Sequence, residues 1–364
     1  MKRALVLAAV LGCAGRVRVR PSAPVCAIGT QPGTTSRALT WNGAGWGAVV
    51  SDGAALFLRE FAVDGAARGE RVPLVEEPST PAKVSVAWAD GTYYVAVAPH
   101  QGAGAPRVFR VSAGRADADA FALDDQVTGE LAMVPRDVSS KPAALWIEGE
   151  GRTSMRLVGR DGEPGAPRRC PEGLQPRAVT AWRDGFRGAV TVTNAATGEA
   201  RAVELVGLDD SCELAWRTRV WEGSVSTVAP SIAVDESGVV VAIEAGDDGT
   251  WVAAVDHEGR LRTRATRMER NAHAPHVFVQ TDASGRRLGI QVVAVRTIET
   301  GDRLEVWRLD AEGLLRETRP VANSDRVEIR FGAADPWGGG IVGFTRSETS
   351  RGASDAGFFA RVCP

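Results

Sequence analysis

The sequence predicts an all-β protein, a seven-bladed β-propeller, on three observations: a glycine-marked turn that returns at a nearly constant interval, short apolar strands between the turns, and a last repeat that is one strand short. The glycines are Gly53, Gly102, Gly151, Gly198, Gly249, Gly301 and Gly352, at steps of 49, 49, 47, 51, 52 and 51 residues. Self-similarity at about 40–50 residues carried by strands marks an array of blades, each a small sheet that cannot bury its faces alone. A length of 364 residues would allow two domains, but the repeat spans nearly all of it and argues for one closed unit.

Each unit is punctuated in the same way. A first strand ends at an Asn/Asp/Gly turn, as at Trp41-Asn42-Gly43, Trp88-Ala89-Asp90-Gly91, Trp182-Arg183-Asp184-Gly185, Asp235-Glu236-Ser237-Gly238, Asp282-Ala283-Ser284-Gly285 and Asp335-Pro336-Trp337-Gly338. These residue types tolerate the positive φ angles of tight hairpins. The second strand is apolar, as in 46–50, 93–97, 188–192, 239–243 and 288–295, and a periodic glycine turns it back. The third alternates, as in Leu304-Glu305-Val306-Trp307-Arg308-Leu309, and stops at an Asp-Gly turn such as 161–162, 256–259 or 310–313. An arginine-rich fourth strand follows, for example 260–267 or 314–319, whose polarity suits the outer rim. After Gly352 only one strand remains, 357–363, so the ring needs a fourth strand from elsewhere. Residues 23–29, short, apolar and otherwise unassigned, are the expected donor.

The first residues read as a processing signal. Lys2 and Arg3 precede an apolar stretch from Ala4 to Leu11, too short to span a bilayer. Val10-Leu11-Gly12-Cys13 resembles the lipobox of bacterial lipoproteins, which implies cleavage after residue 12, lipid on Cys13 and, with Ala14 next, sorting to the outer membrane. An ordinary secretory leader, giving a secreted or periplasmic protein, is the alternative. The expected organisation is a signal peptide over 1–13, a tether over 14–23 and one propeller domain over 24–364.

That compartment makes the cysteines informative. With Cys13 lipidated, Cys26, Cys170, Cys212 and Cys363 remain, an even number that admits three pairings. Closure by residues 23–29 sets Cys26 beside Cys363, and by elimination Cys170 pairs with Cys212, near the fourth strands of units three and four. No CxxC or Cys/His ligand spacing suggests zinc, and neither a metal nor a cofactor is expected. The arrangement, with Trp41-Asn42-Gly43-Ala44-Gly45-Trp46 and Trp88-Ala89-Asp90-Gly91-Thr92-Tyr93 carrying the strand-turn-strand pattern, resembles the broad group of secreted bacterial β-propeller lipoproteins. The resemblance covers most of 24–364 and implies a fold, not an activity.

Net charge is small, -2, and becomes -4 once the positive charges of Lys2 and Arg3 are removed. Nucleic acid is not an expected partner. Nearly all positive charge is arginine, since Lys2, Lys83 and Lys141 are the only lysines. No GxSxG, GxxxxGK[ST] or HExxH motif is present. The turn nearest to the sialidase pattern SxDxGxxW, Asp247-Asp248-Gly249-Thr250-Trp251, lacks the serine and brings its tryptophan one place early. Asp124-Asp125, Asp209-Asp210 and Asp247-Asp248 lack calcium-loop spacing and read as turn carboxylates. His257 reads as a solvated turn residue, and His273 and His276 as loop histidines leading through Pro275 into a strand. Trp41, Trp88 and Trp182, at equivalent places, read as repeated packing.

The functional expectation is therefore a monomeric, lipid-anchored, extracytoplasmic module that binds a protein or glycan, or acts as a scaffold, at the cell envelope. The alternative is a hydrolase or lyase acting on an extracellular polymer. Loops joining second to third strands and loops joining successive blades emerge at one mouth of a propeller. That mouth collects His100, Arg270, His273, His276, Asp325 and Arg326, and ligand contact is expected there.

Overall fold

The structure, a computed structural model, describes residues 29–30, 35–52, 55–63, 66–75, 81–99, 105–112, 118–124, 126–137, 140–149, 152–183, 185–194, 196–282, 284–334, 340–347 and 356–362. These form seven four-stranded antiparallel sheets, the blades of a β-propeller. Blade one holds β2 (Thr35–Trp41), β3 (Gly45–Asp52), β4 (Ala55–Ala62) and β5 (Ala67–Val75), from channel to rim. Blade two holds β6 (Pro81–Ala89), β7 (Thr92–Pro99), β8 (Arg107–Ser112) and β9 (Asp119–Ala122), and blade three β10 (Leu131–Pro135), β11 (Ala143–Gly149), β12 (Arg152–Val158) and β13 (Arg168–Arg169). Blade four is β14 (Pro176–Trp182), β15 (Gly185–Thr193), β16 (Ala200–Asp209) and β17 (Leu214–Glu222). Blade five is β18 (Ser231–Asp235), β19 (Gly238–Glu244), β20 (Thr250–Val255) and β21 (Leu261–Glu269), and blade six β22 (Ala272–Thr281), β23 (Arg287–Ile298), β24 (Gly301–Asp310) and β25 (Leu315–Ser324). Blade seven takes β26 (Arg326–Ala334), β27 (Gly340–Ser347) and β28 (Ala356–Val362) from the end of the chain and β1 (Gly29–Thr30) from its beginning.

Ring closure thus follows the expected route. Gly29 pairs with Phe359 and Thr30 with Phe358, so the donor strand falls at the C-terminal edge of 23–29 and one residue beyond. Joining the two ends of the chain in one sheet removes an edge that would otherwise stay open for pairing with another molecule. The leader, Cys13, the tether and the Cys26–Cys363 pairing lie outside the described residues.

Strand composition follows radial position. The second strand of a blade is covered by a neighbouring blade on each face, so alternation disappears: all residues of β7 except Pro99 are buried. The rim strand β21 is mostly exposed, and there the arginines accumulate. Buried side chains fall into seven clusters, each uniting two adjacent blades and one closing the ring between blades one and seven. Gly47 shows how close the blades come, since a Cβ there would lie 2.1 Å from Cε1 of Tyr93 on blade two.

The Asp-Gly turns between third and fourth strands share one local mechanism. The carboxylate of Asp256 accepts hydrogen bonds from the backbone N–H groups of Glu258 and Arg260, and Asp310 does the same for Glu312 and Leu314. A glycine at positive φ, Gly259 or Gly313, completes each turn. In blade four Asp209 binds the N–H groups of Ser211 and Glu213, and Cys212 occupies the glycine place at φ 65°. It forms a disulfide with Cys170, beyond the rim strand of blade three, across a Cα–Cα distance of 5.0 Å. The pairing reached by elimination is the one observed, and it ties two neighbouring blades together.

Candidate functional site

Each innermost strand runs from the mouth where blade-to-blade connections arrive, the entry mouth, to the opposite exit mouth. Of the expected residues, those described lie on the connections into blades six and seven or at the start of the strands they enter. Arg270, exposed between β21 and β22, has its N–H on the Glu269 carboxylate at 3.0 Å. His273, half-buried, is the second residue of β22. Asp325 and Arg326, both exposed, stand at the step from blade six to blade seven, which is held by the Val327 N–H donating to Asp302 at 3.1 Å. His100 lies outside the described residues.

His276 departs from the loop expectation. The β22–β23 ladder slips between His273 and His276 around Ala274, which has φ 49°, so both histidines belong to the strand and a bulge separates them. The Val277 N–H turns to the Ser231 hydroxyl of blade five at 3.0 Å, and the Ala274 N–H to Glu244 at 2.6 Å. The His276 ring sits in the wall between blades six and seven, where a Cβ on Gly332 would meet its Nδ1 at 2.9 Å. The structure therefore brings Arg270, His273, Asp325 and Arg326 to one face and leaves His276 behind them.

Burial holds the His276 imidazole at about 4, well below its ordinary 6.5. The folded state binds the neutral ring, and the unfolded chain takes up the proton first, so this contribution is complete above pH 6.5 and is lost as pH falls to about 4. Because the residue keeps intermediate exposure, the loss is expected to be about 1–3 kcal/mol. His276→Gln should flatten the pH dependence of urea unfolding in that window; an unchanged slope would show that another group carries it.

Residue patterns along the chain did not single out a chain of ion pairs at the same mouth over blades two to four. Glu130, just before β10, lies 3.7 Å from Lys83 of β6 and 3.2 Å from Arg177 of β14, while its own N–H donates to Glu148 at 3.0 Å. The available signal is positional: each of the three lies within three residues of the start of an innermost strand in successive blades. Two cavities open beside this chain, of about 640 Å³ at blade three and about 720 Å³ at blade four. In the second, Arg201 is already paired with Glu199 at 3.1 Å and Arg177 donates to the Thr227 carbonyl at 3.2 Å.

The exit mouth uses its charges as rivets. Arg287 donates from Nε and Nη2 to Asp235 at 2.7 and 3.0 Å, joining blades five and six with both side chains buried. Arg136 of blade three pairs with Asp210 of blade four at 2.5 Å while its guanidinium lies 5.3 Å from the Phe186 ring. His257 is not solvated as its turn suggested. Its ring stacks on Trp182 of blade four at 4.2 Å and 9°, and Nε2 donates to the Asp235 carbonyl at 2.7 Å. Burial lowers its pKa, partly opposed by that hydrogen bond. Trp41 and Trp88 likewise meet Trp46 and Tyr93, at 4.9 and 4.4 Å, as repeated packing requires. The two tyrosines are each 1% exposed, and the Tyr93 hydroxyl is spent on Glu60 and Asn42 at 2.7 and 2.6 Å.

No family model matches the chain, and no curated protein matches it. Solved structures do share its fold. A polysaccharide lyase, ulvan lyase, bound to -[GlcA(1-4)Rha3S]-, is 11% identical with a TM-score of 0.58 over 93% of this chain and 95% of that one. The Swd1 propeller domain of Myceliophteria thermophila is 12% identical, TM-score 0.54, over 92% and 99%. A protein of unknown function from Dyadobacter fermentans is 12% identical, TM-score 0.52, over 93% and 97%. At these identities the likeness is one of fold, on which lyases and scaffolds alike are built.

Proposed function

We propose that this chain is an extracytoplasmic binding module, held at the envelope by lipid on Cys13, that takes a protein or glycan partner at the entry mouth. The supporting observation is a group of exposed arginines at that mouth. Arg37 in β2, Arg270 and Arg326 are exposed at or near that mouth, and among the described residues none of the three has a carboxylate partner. Free guanidinium groups recognise, whereas paired ones hold structure.

A hydrolase or lyase on an extracellular polymer is the second reading, supported by the cavity at blade three; tyrosine chemistry has no place in it, because both tyrosines are buried. The test combines anchoring and capture. The protein should partition into the detergent phase, and Cys13→Ser should release it. The triple variant Arg270→Ala, His273→Ala, Arg326→Ala should melt as the parent does yet capture its partner from envelope extract about tenfold less well. His276 is left intact because it is a wall residue. Full capture by that variant would remove the entry mouth from the mechanism.

A further inference from the structure

Of the large apolar side chains that stand exposed among the described residues, Leu214, Leu261, Leu288, Leu314 and Leu315 gather at the exit ends of blades four, five and six, and Val228 alone lies elsewhere. Three of them occupy one structural place. Leu214, Leu261 and Leu315 are the first residues of the rim strands β17, β21 and β25, paired with Leu208, Val255 and Leu309 across the turns that Asp209, Asp256 and Asp310 cap. Leu314 precedes Leu315, and Leu288 is the second residue of β23 in blade six. All five are between 43% and 59% exposed.

The arc they form is tied from blade to blade. The Thr218 hydroxyl of blade four donates to the Gly259 carbonyl in the turn of blade five, and the Thr263 hydroxyl of blade five to the Glu312 carbonyl in the turn of blade six at 3.2 Å. Each turn lies directly against the preceding rim strand: a Cβ on Gly259 would stand 2.7 Å from the Trp216 ring, and one on Gly313 3.1 Å from Cγ2 of Thr263. Leucines repeated at one place on a tied arc, with the other exposed large apolar group elsewhere, mark a contact surface.

The occupant follows from where the chain enters the ring. β28 runs toward the exit mouth and β1 is antiparallel to it, so the chain comes into the propeller from the exit side. Residues 14–28 separate Gly29 from Cys13 and span no more than about 50 Å. Lipid on Cys13 therefore keeps this mouth near a bilayer, and the leucines select one tilt among those the tether allows. The charges beside them are mixed. Exposed Glu213, Glu258 and Glu312 stand among Arg260, Arg262, Arg286 and Arg316, of which Arg262 and Arg316 pair with Asp256 and Asp310 at 3.1 and 2.6 Å. Both signs together suit a zwitterionic headgroup layer, into which arginine stems can lie while their heads stay in water.

We propose that the exit mouth rests on a lipid surface through Leu214, Leu261, Leu288, Leu314 and Leu315, with the entry mouth turned outward to its partner. This rests on the reading of Cys13 as the lipid anchor. Half-exposed leucines hold a bilayer only weakly by themselves, so Cys13→Ser still releases the protein. With the anchor in place their effective concentration at the surface is high and the contact persists.

The test uses the unacylated Cys13→Ser chain and vesicles of phosphatidylcholine and phosphatidylethanolamine at millimolar lipid. A minor fraction should sediment with the vesicles and continue to do so at about 0.5 M salt, because apolar contact is not screened. Adding Leu261→Gln, Leu288→Gln, Leu314→Gln and Leu315→Gln should lower the partition about tenfold, whereas Arg270→Ala, His273→Ala, Arg326→Ala should leave it unchanged. Leu288→Trp, which decides the matter should the glutamine variant fail to fold, should raise the partition about threefold and add fluorescence that brominated lipid quenches. No partition, equal partition by the glutamine variant, or an unquenched tryptophan at 288 would each overturn the proposal. A lipid-free dimer that the glutamine variant abolishes would assign the leucines to a second copy and overturn it as well. Detergent partition of the parent reads the anchor separately, so the anchor and the leucine contact can fail independently.

Discussion

Asp235→Ala is expected to destabilise the protein by about 3–5 kcal/mol, the loss typical of leaving one member of a buried ion pair behind. Asp235 closes the first strand of blade five and is 4% exposed. Its carboxylate receives both Arg287 contacts and the N–H groups of Ser237 and Gly238, at 2.7 and 3.1 Å. Alanine would strand a guanidinium whose side chain is 6% exposed and uncap the turn in the same step. The double variant Asp235→Asn, Arg287→Met should recover much of the loss, because no ion is then left unpaired. Urea unfolding followed by tryptophan fluorescence measures the cycle, with apparent values, since a chain of this size need not unfold in two states. A single-variant loss below about 1 kcal/mol would mean that water reaches the pair.

The second large effect belongs to Cys170–Cys212. The bond closes a loop of 42 residues, for which the chain-entropy relation gives about 4 kcal/mol. Cys170→Ser, Cys212→Ser should therefore melt well below the parent, and the parent under reducing conditions should follow it. Cys212→Gly in place of Cys212→Ser should retain about 1 kcal/mol more, because residue 212 sits at φ 65°, the place Gly259 and Gly313 take in the equivalent turns. Equal melting of the two double variants would show that the turn relaxes once the bond is gone. Equal melting of reduced and oxidised parent would deny the bond any part in stability.

Fold and site were legible to different depths. The blade count, the strand order within a blade, the closure by the chain's beginning and the Cys170–Cys212 pairing could be read from spacing, because each repeat carries its own turn chemistry. Arg270, His273, Asp325 and Arg326 could be assigned to one mouth by strand direction alone. His257 and His276 could not be placed. Local sequence marks His257 as a turn residue, but its surroundings come from Trp182 in another blade, 75 residues away, and the setting of His276 comes from a bulge and from Gly332.

The sequence by itself determined what depends on contacts a few residues long: the hairpin turns, whose aspartates bond N–H groups two and four residues onward, the apolar second strands, the arginine-rich rims and hence seven blades. Only the tertiary structure decided which side chains meet across blades. Asp235 with Arg287 lies 52 residues apart and Arg136 with Asp210 74, and neither pair leaves a local signal. The physical reason is that turns and strands are encoded by short-range backbone preference, whereas burial, ion pairing and an unpartnered hydroxyl such as that of Thr153 arise when two curved sheets press together.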